Sequence, residues 1–293
     1  MAERESQIVL GLDPDLSDLW PGSQAGAQEE LPVVSRAGMA MLGHCHALID
    51  ATAEACVAVK LQLARFEALG AVGWTLLGAV SAHARGAGLL VIADGKRGDI
   101  DVSARAYANA LIDGLETPFG RLDGLGADLV TVNPLMGADA IEPFVAAARA
   151  VGAGVLALVR TSNPGAADVQ DLPLEGGGAV WERVATIVDE LGRPGVGEAG
   201  LSDVGAVIGA TEPSHLARAR ELMGAATFLL PGVGAQGGQV EDLAPAFAPG
   251  RAGGLITASR SIAGAHKATG ARPAAAAREE AERLRAAAWA LSA

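Results

Sequence analysis

Short apolar runs alternate with longer amphipathic or alanine-rich segments about eight times along the chain, and this alternation constrains the fold more than any other feature. The runs predicted as strands are 8–12, 56–61, 89–93, 129–132, 155–159, 204–208, 227–230 and 254–257. Helical patterns lie between them at 37–55, 66–85, 102–113, 138–150, 180–191 and 213–223, and a last one spans 273–291. Runs apolar at consecutive positions suit strands buried on both faces, as a parallel sheet requires. Eight strand–helix units in 293 residues point to an α/β chain closed into a (β/α)8 TIM barrel, with an open doubly wound sheet as the alternative. No composition break marks a second domain, so 1–293 reads as a single barrel domain with an extra C-terminal helix. Segments 20–32 and 163–178 read as loops after the first and fifth strands.

The formal net charge of −12 makes the surface repel nucleic acid and anionic membranes, so neither is expected as a partner. An anionic ligand would need a local cationic site against that field. Cys45 and Cys56 are too few for a disulfide framework and read as core thiols. The charged start, Met1–Gln7, is unlike a secretory signal, and no run reaches the roughly 18 apolar residues of a spanning helix. A cytoplasmic protein is expected. His44 and His46 lie two apart on a predicted helix and point in nearly opposite directions, so no metal is expected there.

Only three of the 22 basic residues are lysines: Lys60, Lys96 and Lys267. Lysine can give up a proton where arginine cannot, so a lysine at a strand end stands out. In a parallel barrel the functional groups gather where strands end and loops begin. The first strand ends in Gly11-Leu12-Asp13-Pro14, the second carries Lys60, and the third runs into Asp94-Gly95-Lys96-Arg97-Gly98-Asp99-Ile100. Asp13 also suits a turn or helix cap. An unpartnered ammonium inside an apolar strand is costly, so Lys60 calls for an acid nearby. Asp94 and Lys96, two apart, share one face of an extended chain, although an ordinary charged turn would read the same way. Opposite charges about 4 Å apart interact by roughly 4 kcal/mol at an intermediate effective dielectric. A lysine so flanked is held protonated and fixed, a poor Schiff-base nucleophile and a good proton donor.

Strands seven and eight end in Pro231-Gly232-Val233-Gly234-Ala235-Gln236-Gly237-Gly238 and Ala258-Ser259-Arg260-Ser261-Ile262. Loops at those two positions form the usual phosphate pocket of the fold: glycines let backbone N–H groups approach, and Arg260 can grip phosphate oxygens in pairs. The loop after strand five opens with Arg160-Thr161-Ser162-Asn163-Pro164-Gly165. It suits a lid in which Ser162 offers a hydroxyl to a heterocycle, and equally plain turn chemistry.

Taken together, these motifs resemble the longer bacterial branch of the orotidine 5′-phosphate decarboxylase family, over nearly the whole chain. The resemblance implies decarboxylation of orotidine 5′-monophosphate to uridine 5′-monophosphate, with no cofactor. Lys96 would protonate the carbon left by carbon dioxide, Asp94 would lie beside the departing carboxylate, and Lys60 and Asp13 would complete the charged network and hold ribose hydroxyls. Ser162 would meet the pyrimidine, and Gln236 and Arg260, with Ser259 beside them, the phosphate. Asp99 and Ser103 would reach into a partner subunit's site, making a homodimer with shared active sites. Gly95 departs from the alanine usual in this branch, and Ser103 stands where other branches carry threonine. Three other readings stay open: a magnesium-dependent hexulose-phosphate-synthase-like aldolase, a Schiff-base aldolase, and a silent phosphate-ligand barrel.

Overall fold

The computed structural model describes residues 1–23, 29–234 and 237–292. Eight parallel strands form one closed barrel: β1 Ile8–Leu12, β2 Ala58–Gln62, β3 Leu90–Arg97, β4 Leu129–Val132, β5 Gly154–Arg160, β6 Val204–Ile208, β7 Phe228–Leu230 and β8 Gly254–Ala258. Each strand pairs with its neighbours in sequence, and β8 closes on β1 through Ile8↔Ile256, Val9↔Thr257 and Leu10↔Ala258. The closed TIM barrel expected from the alternation is therefore the fold. β1, β6, β7 and β8 are buried along their whole length, which explains why they read as unbroken apolar runs.

The helices lie outside the strands: α1 Val33–Thr52, α2 Ala71–Gly86, α3 Asp101–Ala108, α4 Ala138–Val151, α5 Val180–Gly192, α6 Pro213–Leu222 and α7 Pro273–Leu291. On α1 the buried Met41, Cys45, Leu48, Ile49 and Thr52 recur at helical spacing and face the barrel. The C-terminal α7 packs on α1 and buries Ala277, Ala281, Leu284 and Ala288. It is tied to the other end of the chain: Gln7 Nε2 donates to Ser292 Oγ at 2.5 Å, and Arg285 donates to the Arg4 carbonyl at 3.2 Å.

Four details differ from the sequence reading, each for a local reason. The helix expected over 66–85 is interrupted; a short turn, Leu63–Glu67, precedes α2, and Gly70 between them takes φ +61°. β3 runs four residues further than its apolar pattern, into the charged Asp94–Arg97 segment. The pattern over 102–113 is α-helical to Ala108 and then widens into a π-helical turn, Asn109–Asp113. Beyond it, Leu115–Thr117 and Gly120–Leu122 form an antiparallel hairpin whose exposed residues carry no apolar alternation.

Candidate active site

At the carboxyl end of the barrel, β1 and β8 approach so closely that a Cβ on Gly11 would stand 1.7 Å from Ser259 Oγ. Only glycine fits there, and the contact brings Asp13, two residues on, to the rim. β2 points Lys60 and Gln62 inward, β3 points Asp94 and Lys96, and β4 points Thr131, following the two-residue period of a strand.

These side chains meet on one carboxylate. Asp94 Oδ2 accepts from Lys60 Nζ at 2.6 Å and Gln62 Nε2 at 3.3 Å, while Oδ1 accepts from Lys96 Nζ at 2.6 Å and Thr131 Oγ1 at 2.9 Å. Lys60 also faces Asp13 Oδ1 at 3.5 Å. Lys96 lies in the left-handed region at φ +47°, and its backbone N–H donates to Thr131 Oγ1 at 2.9 Å. One threonine hydroxyl thus fixes both the strained backbone of Lys96 and the carboxylate its ammonium holds.

Burial pushes the Asp94 carboxyl up, but the Lys60 and Lys96 ammoniums outweigh it and hold it at about 2. Burial likewise works against the Lys60 ammonium, and Asp94 with Asp13 overcome it, so Lys60 is raised above its ordinary value. The two lysines differ in access: the Lys60 side chain is 7% exposed and that of Lys96 44%. Lys60 is a buried strut, and Lys96 is the more open amine of the cavity wall.

The cluster forms one wall of a cavity of about 460 Å³. Leu158, Val207, Leu229 and Thr257 make its floor, and Thr161, Ser162, Asn163 and Gln170 line the opposite side. The loop carrying that side is held by paired bonds from Arg160 to Asp171, both 2.8 Å, and by Thr161 N donating to Gln170 Oε1 at 2.8 Å. At the remaining end, Gly232 and Gly234 take φ +106° and +75°, and Val233 bridges to Gly238. Ser259 and the exposed Arg260 sit beside this loop, and Arg260 makes no ion pair among the described residues. A second depression of about 560 Å³ shares Asp13, Ser259 and Arg260, and its other cations, Arg65 and Lys267, are taken by Asp15 and Asp18.

The structure therefore brings together Asp13, Lys60, Asp94, Lys96, Ser162, Ser259 and Arg260. Gln236 lies outside the described residues. Asp99 and Ser103 do not line the cavity of their own chain; Asp99 Oδ1 accepts from Ile100 N at 2.8 Å, and Ser103 is exposed on α3. Around them Ile100, Val102, Leu135 and Met136 are exposed. His44 and His46 go separate ways, His44 Nδ1 accepting from Trp20 N at 3.1 Å and His46 stacking on His83. Sequence reading missed Gln62, Thr131 and Gln170. Gln62 and Thr131 had a signal: one lies two positions beyond Lys60, and the other is the lone polar residue of β4. Gln170 lies inside an irregular loop, where no period marks which side chains turn inward.

A closed parallel barrel with an interlocked acid–lysine cluster at its carboxyl end defines the class: a (β/α)8-barrel enzyme with its chemistry at the usual face. The family model described as "Orotidine 5'-phosphate decarboxylase / HUMPS family" matches residues 6–278, and the chain belongs to that family. Among curated relatives, an orotidine 5′-phosphate decarboxylase of Rhodopirellula baltica is 40% identical over 89% of this chain and 85% of its own length. One from Deinococcus radiodurans is 43% identical over 88% and 84%. Among solved structures, an OMP decarboxylase of Leishmania donovani is 31% identical with a TM-score of 0.72, covering 98% of this chain and 96% of its own. Relatives so named are carbon–carbon lyases, and this chain is an enzyme of the same class.

Proposed function

We propose that the protein decarboxylates orotidine 5′-monophosphate to uridine 5′-monophosphate, the whole chain acting as one catalytic barrel, with Lys96 as the acid. The observation that carries this reading is the Asp94 carboxylate held between two lysines, one buried and one open to the cavity. The bond from C6 to the carboxyl carbon breaks, carbon dioxide leaves, and the electron pair stays on an sp² ring carbon with little conjugation. The Lys96 ammonium, fixed by Asp94, stabilises that charge where it develops and transfers its proton to C6. Solvent then reprotonates the amine. Asp94 lies beside the departing carboxylate, so its repulsion is relieved as carbon dioxide leaves.

Lys60 and Asp13 hold ribose hydroxyls, Ser162 contacts the pyrimidine, and Gln236, Ser259 and Arg260 take the phosphate. Phosphate binding far from C6 supplies energy that organises the reacting end. Arg260, which makes no ion pair among the described residues, supports this, as an anion site in a chain of charge −12 needs an available cation. Asp99 and Ser103 serve the cavity of a second copy in a homodimer; their position outside their own cavity, among exposed apolar side chains, supports it. No electron sink is needed, so no cofactor is part of the reaction. Among the described residues no helix is long and apolar enough to cross a membrane, and we place the enzyme in the cytoplasm.

Both Asp94 oxygens are engaged by ammonium groups, which weighs against the magnesium-dependent synthase reading. The test is loss of orotidine 5′-monophosphate absorbance on adding purified protein in EDTA. Turnover is expected; activity seen only after magnesium is restored would favour the aldolase, and none in either buffer would sink the assignment.

A further inference from the structure

β3 and β4 fall out of step beside the cavity. From Ala93 to Arg97 β3 advances four residues while β4 advances two, from Val130 to Val132. The surplus is a bulge, Asp94-Gly95-Lys96, and Thr131 is the β4 residue that stands opposite it. A bulge breaks the ladder and re-aims side chains, and between parallel strands it is rare. This one carries Lys96 at φ +47°, a backbone that a lysine keeps only where its surroundings hold it. Past the bulge the ladder resumes, with Asn133 N donating to the Arg97 carbonyl at 2.7 Å.

Thr131 supplies the hold. A hydroxyl has one proton to give and lone pairs to accept with. An amide N–H can only donate and a carboxylate can only accept, so the roles here are fixed. Oγ1 accepts from Lys96 N at 2.9 Å and donates to Asp94 Oδ1 at 2.9 Å. That same Oδ1 accepts from Lys96 Nζ at 2.6 Å. One hydroxyl therefore ties down both ends of the lysine, the backbone directly and the ammonium through a single carboxylate oxygen. Thr131 is 1% exposed, so little water reaches it to compete. Valine would suit a buried strand position equally well, and its neighbours Val130 and Val132 are valines.

We infer that Thr131 is a positioning residue for the reaction: its hydroxyl pins the β3 bulge and so sets where the Lys96 ammonium stands. The inference rests on the reading of Lys96 as the acid given above. Thr131 does not line the cavity, so it acts through Lys96 and Asp94. Losing the hydroxyl loosens the acid and leaves the residues assigned to ribose and phosphate in place. Misplacing a reacting group by about 1 Å costs on the order of a hundredfold in rate.

The test compares wild type with Thr131→Val and Thr131→Ser. It measures kcat and KM for orotidine 5′-monophosphate, Tm, and hydrogen exchange of the Lys96 amide in the unliganded protein. Both variants should lower Tm, valine by stranding polar partners and serine by opening a methyl-sized gap. Activity should instead follow the hydroxyl. Thr131→Val is expected to lose about ten- to a hundredfold in kcat with KM within about twofold, and to exchange the Lys96 amide faster. Thr131→Ser should keep kcat within about threefold and leave that exchange near wild type. A purely structural role would make kcat track Tm in both variants, and that result overturns the inference. So does wild-type kcat in Thr131→Val, a loss confined to KM, or an unmoved Lys96 amide. No turnover by wild type removes the decarboxylase reading and this role with it.

Discussion

Asp94 is where the energetics of the site concentrate, because a single carboxylate receives four side-chain donors, two of them charged. Its carboxyl is depressed from 3.8 to about 2, so the stability it contributes is present above its unfolded value and lost as pH falls through about 2. Lys60→Met removes one of the two ammoniums and leaves burial less opposed. Carbon NMR of the Asp94 carboxyl should then show titration at higher pH than in wild type, and an unmoved midpoint would mean that Lys60 is not what holds it down. Lys96→Ala should lower kcat by more than about 10³-fold while product binding changes little, since the ammonium acts where charge develops; single-turnover decarboxylation at near wild-type rate would refute its role as acid. The Asp94 and Lys96 pairing was legible because two charges two apart at a strand end share a face. Thr131 was not assigned, although its hydroxyl holds both, because a threonine in a strand ordinarily reads as β-propensity.

The strands were legible and their junctions were less so. A strand buried on both faces announces itself as an apolar run, but where the ring becomes a binding site the pattern stops, as in β3, whose last four residues are charged or glycine. The break before α2 depends on Gly70 at φ +61°, which composition cannot separate from an ordinary helical glycine. The β1–β8 seam is a sharper case. A methyl at Gly11 would collide with Ser259, so Gly11→Ala should cost about 1–3 kcal/mol and disturb both Asp13 and the Arg260 end. A denaturant midpoint equal to wild type would show that the seam can give way. The loop after β5 is pinned by Arg160 and Asp171; Asp171→Asn weakens this charged pair, and KM should rise several-fold with a smaller change in kcat.

Assembly decides whether Asp99 matters. If each cavity takes Lys96 from one chain and Asp99 from the other, mixed Lys96→Ala and Asp99→Ala chains form hybrid dimers with one intact site. Random exchange makes half the dimers hybrid, so about a quarter of wild-type activity should return. Confirmed exchange with no recovery would argue against a shared site. Periodicity could not reveal such an arrangement, because residues completing another copy's site would look like surface residues in their own.

The ring is closed by the last strand meeting the first, and that strand also carries Thr257, Ser259 and Arg260. A nascent polypeptide halted at residue 253 holds the acid–lysine residues yet has neither a sealed wall nor Arg260. On the proposed reading, catalytic competence during translation arrives late, once the ribosome has released the final strand. On that reading, shortened products of interrupted synthesis lack both the phosphate grip and the finished enclosure, because the two come from the same few codons.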